Sequence, residues 1–435
     1  MKRLLVLDAL RGFFIIFVIL FHALGHVMLW NGALIERQEI QTWTMVLFSP
    51  LILLGTWAPV FALISGAATA YVLHYLMAQG RGHALGAHVR GVYYNSAFLY
   101  VCSLIHMSML HFRVVFNGAE RFSFVTGSLE QGRLAKADVD LLFFTDAVAL
   151  VAMAGVIVAS VLWLLWRGDG FAHARRNYAV LVTLGLLWFL AAPWLHKALD
   201  TSFFAAVTDR DVPTALALKL IIGPPHSTFP NAGFSLFGAV LGIALARHEA
   251  LAHLRRFGYG FGVFCVAVGG LILLYAGVPI GPERVGTALP VQLHFLNLGL
   301  MLMVLTYFIG RFEYQDAARR AAIAQRTTGV RRFGLMGMTA YICESVLCVI
   351  NLTWYLPLFA GAPLPARYLG LFLFGGMQIA LWHGLLRLWE KVEFKYSFEW
   401  WAVHVVGRLR GRYSHRLQVS EVLYHPVAVP EQGSA

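Results

Sequence analysis

Long apolar stretches, separated by short basic segments, constrain this chain more than any other feature. Ten of them are long enough to cross a bilayer, which takes about 20 apolar residues each. They are Leu4 to Trp30, Gly55 to Met77, Val92 to Phe112, Leu141 to Trp166, Tyr178 to Leu195, Phe229 to Ala246, Tyr259 to Val278, Val291 to Ile309, Phe333 to Leu356 and Tyr368 to Leu388. Only 13% of the residues are charged, whereas a soluble domain carries about 25%. The sequence therefore predicts an all-α integral membrane protein with about ten transmembrane helices, and excludes a soluble globular domain.

The distribution of Lys and Arg predicts the orientation of these helices. With the N-terminus inside, 23 of the 34 Lys and Arg fall on the cytoplasmic side when Arg387, at the inner end of the last span, is counted, so the positive-inside rule places both termini in the cytoplasm. The clearest markers are Arg247 with Arg255 and Arg256, and the run from Arg311 to Arg332. Because the basic residues lie between apolar stretches and form no single basic face, the net charge of +12 predicts no nucleic-acid partner.

The predicted domain organisation is simple. We expect one transmembrane domain over residues 1–390, followed by a basic cytoplasmic tail over residues 391–435. The apolar stretch Trp43 to Leu54 is too short to cross a bilayer and is broken by Ser49-Pro50. We interpret it as an external interfacial or re-entrant segment, because counting it as a span would reverse every later loop.

Ionisable side chains in the first span form the leading candidate site, because each costs about 2.5–3.5 kcal/mol at the centre of a membrane helix. At 100° per residue, Arg11 and His22 lie on one helix face, and Asp8 and His26 fall within about 60° of it. We expect Asp8 to pair with Arg11 one turn away. A polar stripe of this length implies a polar cavity. The alternative is that Asp8 and Arg11 anchor the interface by snorkelling, while the histidines only hydrogen-bond to neighbouring helices.

Later spans carry further polar candidates: His106, His111, His294, Asn297, Glu344 and His383. A neutral histidine can act as a general base near neutral pH, and Glu344 is a carboxylate in mid-span. A protonated Glu344 that hydrogen-bonds to another helix is the alternative. The spacing of His22 and His26 suits two metal ligands, but the sequence places no third, so no metal is expected.

The opening RLLVLDALRGFFIIFVILFHALGH, in which ten residues separate Arg11 from His22, resembles the first helix of the transmembrane acyltransferase superfamily. That superfamily includes the acyltransferase-three proteins and the heparan-glucosaminide N-acetyltransferases. The chain looks most like its uncharacterised bacterial inner-membrane branch. Further similar segments are APVFALISGAATAY, LYVCSLIHMSML, FGLMGMTAYICESV and FKYSFEWWAVHVVGRL, where Ser397 replaces the family's Gly-Pro.

The resemblance implies transfer of an acyl group, with acetyl expected, from cytoplasmic acyl-CoA to an extracytoplasmic acceptor. That acceptor is a sugar hydroxyl, an amine or another small molecule, and the enzyme is expected in a bacterial inner membrane. His22 is then the catalytic base or the acyl carrier, Arg11 orients the donor, and Arg90 contributes to acyl-CoA binding. The residues expected to bind substrate along the same path are Asp8, His26, His106 and Glu344.

A protein of another class can carry the same polar stripe. In a proton-coupled small-molecule transporter the stripe would be a translocation path. The sequence favours the acyltransferase, because it lacks paired interrupted helices in matching halves. A haem-binding redox protein is a third, minor alternative. The acyl group, the acceptor, and the choice between monomer and homo-oligomer stay open.

Overall fold

The computed structural model describes residues 3–29, 53–81, 85–116, 119–276, 291–359, 361–411, 417 and 419–424. The helices in these residues are α1 (Leu5–Leu29), α2 (Pro59–Leu76), α3 (Leu85–Ile105), α4 (Phe124–Gln131), α5 (Ala147–Leu165), α6 (Ala174–Thr208), α7 (Val212–Ile222), α8 (Thr228–Asn231), α9 (Gly233–Ala246), α10 (Leu251–Arg255), α11 (Gly262–Ala276), α12 (Val291–Phe312), α13 (Ala317–Arg326), α14 (Thr328–Leu335), α15 (Gly337–Tyr355), α16 (Leu364–Glu390), α17 (Phe398–Leu409) and α18 (Val419–Leu423). Strands β1 (Val114–Phe116) and β2 (Ala119–Arg121) form one antiparallel hairpin. Short π-helical turns cover Met77–Arg81, His106–Leu110 and Arg256–Phe261.

Nine helical segments among the described residues are long and apolar enough to cross a membrane. They are Leu5–Val27, Pro59–Gly80, Ala147–Leu165, Ala174–Thr208, Thr228–Ala246, Leu251–Tyr275, Val291–Phe312, Gly337–Phe359 and Leu364–Glu390. The protein is therefore an all-α integral membrane protein, as predicted. The remaining predicted span, Val92 to Phe112, falls mainly on α3 and the turn after it and is not among these nine segments. Its crossing of the membrane stays a prediction, as does the cytoplasmic position of both termini.

Helix starts are fixed by side chains that accept the unpaired N–H groups of the first turn. Asp146 accepts from the N–H of Ala149 at 2.8 Å at the start of α5. Ser397 accepts from the N–H of Trp400 at 3.0 Å at the start of α17.

The chain divides into two compact units. The first contains residues 58–103 and 142–316, and the second contains residues 2–57, 104–141 and 317–435. α16 ends at Glu390, and the division into a transmembrane domain over residues 1–390 and a tail over residues 391–435 stays a prediction. Of the predicted re-entrant segment Trp43 to Leu54, all but the last two residues lie outside the described ranges.

In the first unit, small residues bring α2 and α9 together. A Cβ atom added to Gly66 would lie 2.0 Å from the carbonyl oxygen of Ser235, and one added to Gly238 would lie 2.0 Å from that of Leu63. Added to Gly242, it would lie 2.2 Å from the carbonyl oxygen of Ala67. Small residues at Ser65-Gly66 and at Gly238-xxx-Gly242 thus let the backbones of the two helices approach closely.

In the second unit, α1 packs as closely against α14. A Cβ atom on Gly12 would lie 1.8 Å from the carbonyl oxygen of Val330, and one on Gly334 would lie 2.1 Å from that of Asp8. Backbone meets backbone at this crossing, which explains the glycine that ends the LDALRG opening. Because α14 leads directly into α15, the same contact sets α1 against the helix that carries Glu344.

Candidate functional site

The centre of the candidate site is a hydrogen bond between α1 and α15 in the second unit. His22 Nδ1 lies 2.8 Å from Glu344 Oε1, and the Ser345 hydroxyl donates to the same oxygen, also at 2.8 Å. The Glu344 side chain is 2% exposed, whereas that of His22 is 22% exposed. The carboxylate of Glu344 is therefore enclosed by protein, whereas the imidazole of His22 is partly exposed.

The hydrogen bond orients the imidazole of His22. When Glu344 is ionised its oxygens can only accept, so Nδ1 of His22 is then the donor and carries a proton. In the neutral ring, Nε2 then holds the lone pair and is able to take a proton. Glu344 is thus the residue that fixes the tautomer of His22 and compensates a positive charge on it.

Aromatic rings surround His22. Its ring centroid lies 5.6 Å from that of Phe112 and 6.1 Å from that of Tyr341. His26, one turn further along α1, lies edge-on to Phe112 at 4.8 Å. Its side chain is buried, and its Nε2 has no hydrogen-bond partner among the described residues. A polar atom left in this state is available to a substrate.

A π-helical turn brings two more histidines to this cluster. α3 ends at Ile105, and the turn His106–Leu110 places the ring of His106 5.2 Å from Tyr341 and 5.0 Å from His111. Such turns are rare and occur frequently at functional sites. We call His22, His26, His106, Tyr341 and Glu344 the His–Glu cluster. His111, singled out from sequence only as a further candidate, lies at its edge.

The structure corrects the expected pairing of Asp8. Its carboxylate is bound by Arg3, with Nε at 2.5 Å and Nη2 at 3.1 Å, and not by Arg11. Arg3 precedes the first helical residue, so its backbone is free to place the guanidinium over Asp8. Asp8 thereby places a negative charge in the first turn of α1, where it interacts favourably with the helix dipole.

Arg11 lies at the start of α15, and a Cβ atom on Gly337 would be 3.5 Å from its Cδ. Asp8 and Glu399 attract its guanidinium electrostatically, and Arg3 repels it. In the part of the chain that the structure describes, no hydrogen bond or ion pair engages this guanidinium. A half-buried guanidinium with unused donors is a suitable partner for a phosphate, a carboxylate or a carbonyl oxygen.

Glu399 of α17 completes the start of α15. Its Oε1 accepts from the N–H groups of Met338, at 2.7 Å, and Thr339, at 3.1 Å, and the Thr339 hydroxyl donates to Oε2. Burial raises the pKa of Glu399, which these hydrogen bonds oppose. Glu399 thus has a structural role, as a cap supplied to α15 by another helix.

The helix α4 packs against α15 and against the turn that holds His106. It carries Glu130, whose Oε2 is buried and has no hydrogen-bond partner among the described residues. Burial raises the pKa of Glu130 to about 7; Arg113 opposes the shift and Glu120 adds to it. Arg113 itself donates to Glu120 at 2.9 Å. This carboxyl group is a second titratable neighbour of the α15 helix.

The other predicted residues lie elsewhere. Arg90 is exposed on α3 in the first unit, so its part in donor binding stays a prediction. In the same unit His294 is buried beside Phe189 and Phe234, and Asn297 lies one turn further along α12 and is fully buried. His383 of the second unit stacks on Phe333.

Several residues of the site escaped the sequence-based prediction. Tyr341 precedes Glu344 by three residues, so it shares a helix face with it, and that spacing was a usable signal. The sequence carried no signal that pointed to Phe112 or Ser345. Within the described ranges, no group of three or more His, Cys, Asp and Glu side chains is arranged to hold a metal ion. Comparisons of the chain with protein-family models, curated proteins and solved structures give no match.

Proposed function

We propose that the protein is a membrane acyltransferase in which His22 acts as the general base. The observation that carries the proposal is the hydrogen bond between His22 and the enclosed carboxylate of Glu344. A histidine held in one tautomer by a carboxylate, with a partly exposed ring, suits proton abstraction from a hydroxyl or amine.

The chemistry follows from this arrangement. Nε2 of His22 takes the proton of the acceptor hydroxyl as the oxygen attacks the thioester carbonyl of acyl-CoA. The new C–O bond forms, the C–S bond breaks, and the imidazolium returns the proton to the departing thiolate. Glu344 stabilises the imidazolium between these two steps, and general-base catalysis of this kind contributes about 10²–10⁴-fold.

Arg11 is the residue proposed to hold the donor. It lies eleven residues before His22 on α1, which is about 16 Å along the helix axis. A donor held at Arg11 through a phosphate must therefore extend along the polar face of α1 to bring its thioester to His22. The half-buried guanidinium with unused donors fits such an anionic group.

The cellular setting follows from the resemblance and the charge distribution. We place the protein in a bacterial inner membrane with both termini in the cytoplasm, where the predicted basic face attracts polyanionic acyl-CoA. The acceptor, a sugar hydroxyl or an amine, then enters from the opposite side. His26 and His106, which lie around His22, are the residues proposed to contact it.

The test is acetyl transfer and slow acetyl-CoA hydrolysis by purified protein in proteoliposomes. His22→Ala is expected to lower both rates about 100-fold or more in protein that still expresses and folds, although its thermal stability falls because buried Glu344 loses a donor. His383→Ala removes a histidine from another span and serves as the matched control, expected to retain activity. Wild-type protein that moves protons across the membrane but never consumes acetyl-CoA would instead favour the proton-coupled transporter.

A further inference from the structure

The helix α17 has two faces of opposite character. Glu399 and Val406 are on its inner face, where Glu399 binds the start of α15 and Val406 is 6% exposed. On the outer face Trp401 is 46% exposed and Val405 is 38% exposed. Trp401, Val405 and Arg408 fall within an arc of about 60°. A stripe of exposed tryptophan and valine beside an arginine is typical of helices that lie in a membrane surface.

The position of α17 in the chain agrees with that character. It begins eight residues after Glu390, where α16, a candidate membrane span, ends. The connection is held in place, because Trp389 Nε1 donates to the Lys395 carbonyl at 2.9 Å and Phe394 is fully buried. The end of a span and the helix that follows it are therefore fixed against each other at the depth where membrane and water meet.

The exposed charges of this segment are mainly positive. Arg387, Lys391, Lys395, Arg408 and Arg410 are all exposed. Of the three acidic residues, Glu390 is bound by Arg332 at 2.5 Å, Glu399 is turned to α15, and Glu393 is exposed. Clusters of four or more Lys and Arg directly after a membrane span, or on an amphipathic helix, are typical binding sites for anionic lipids.

We infer that α17 lies in the membrane surface and, with the segment that precedes it, binds the headgroups of anionic phospholipids. Trp401 and Val405 enter the boundary between headgroups and acyl chains, while Lys395, Arg408 and Arg410 face the lipid phosphates. The other face of the same helix caps α15 through Glu399, so bound lipid stabilises the helix that carries Glu344. The inference needs no acyl transfer and is tested without it.

The first test measures whether Trp401 contacts lipid. The protein is reconstituted in vesicles of equal parts phosphatidylglycerol and phosphatidylcholine, with bromine on the chains of one lipid or the other. The fluorescence lost on replacing Trp401→Phe isolates this tryptophan from the other eleven of the chain. We expect brominated lipid to quench it, and brominated phosphatidylglycerol to quench it more than brominated phosphatidylcholine.

The second test removes the charges. Each Lys or Arg near an anionic surface contributes about five-fold in affinity. Lys395→Gln/Arg408→Gln/Arg410→Gln should therefore abolish the difference between the two brominated lipids. Arg133→Gln/Lys136→Gln, at two exposed basic residues of another segment, is the matched control and should keep it.

Three results would overturn the inference. Absence of any quenching of Trp401 would mean that α17 does not lie in the membrane. Equal quenching by the two lipids in the wild-type protein would mean that it does not select anionic headgroups. A triple variant with the wild-type preference would mean that these basic residues do not carry the selection.

Discussion

His22 and Glu344 are 322 residues apart in the chain, yet Nδ1 of one lies 2.8 Å from Oε1 of the other. The pair joins the first helix of the second unit to a helix near its end. A buried carboxylate is costly unless it is hydrogen-bonded, and here a histidine and a serine supply the donors. This contact supplies a hydrogen bond to Glu344 through Nδ1 of His22 and does not use Nε2 of the same ring.

Substitutions of Arg11 are expected to give different results if this residue binds the donor than if it only anchors the helix. Arg11→Lys keeps the charge but loses the two-pronged geometry, so acetyl-CoA affinity should fall about ten-fold, and Arg11→Ala should lower it further. The measurement is titration calorimetry with acetyl-CoA, beside thermal stability in detergent. Arg326→Lys, at an exposed arginine of α13, is the control. Unchanged affinity in both Arg11 variants would reduce this residue to an anchor.

The close contact between α1 and α14 predicts that adding one methyl group at Gly12 strongly lowers the stability of the protein. In Gly12→Ala the new Cβ meets the backbone oxygen of Val330, so the helices must separate. We expect a loss of about 1–3 kcal/mol or more in the free energy of unfolding. Gly376→Ala and Gly384→Ala in α16 meet nothing within 4 Å and should be neutral or slightly stabilising. A melting temperature of Gly12→Ala equal to those controls would contradict the close contact.

The raised pKa of Glu130, about 7, predicts a pH-dependent stability. The unfolded carboxyl has a pKa of about 4.3, so folding holds the proton more tightly, and stability falls as pH rises from about 4.3 to about 7. Glu130→Gln removes this loss. The variant should melt above wild type at about pH 8 and together with it at about pH 4. A variant that melts below wild type at the higher pH would show that the ionised carboxylate is stabilising.

The distribution of Lys and Arg predicts the orientation of the chain in the membrane, and cysteine labelling tests it. In a protein without native cysteines, Arg133→Cys should react with an impermeant maleimide added to intact cells, whereas Arg326→Cys should react only after lysis. Both positions are exposed. Labelling of residue 326 from outside intact cells would reverse the topology and, with it, the side from which the donor enters.

The sequence predicted those features that depend on one segment at a time. The length of each apolar run gives the span, and a rotation of 100° per residue places Arg11, His22 and His26 on related faces of α1. Nine of the ten predicted spans coincide with apolar helices of sufficient length. Glu344 stood out because a carboxylate in mid-span needs a partner.

Features that depend on two segments were not predictable in this way. Periodicity tells which face of α1 is polar, but not that α15 lies opposite it, so the bond from His22 to Glu344 had no signal. The expectation for Asp8 was wrong for a related reason: helix spacing favoured Arg11, whereas Arg3 reaches it from outside the helix. No composition marks a π-helical turn, so the placement of His106 beside Tyr341 also came only with the structure.

A double-mutant cycle on acetyl transfer tests the central claim, that His22 and Glu344 act as one unit. Rates of acetyl transfer are measured for wild type, His22→Ala, Glu344→Gln and the double variant, all in proteoliposomes. Residues that act together are non-additive, so each single variant should lose about 100-fold or more and the double variant should lose no more than His22→Ala alone. Losses that multiply in the double variant, or a single variant with the wild-type rate, would contradict the account.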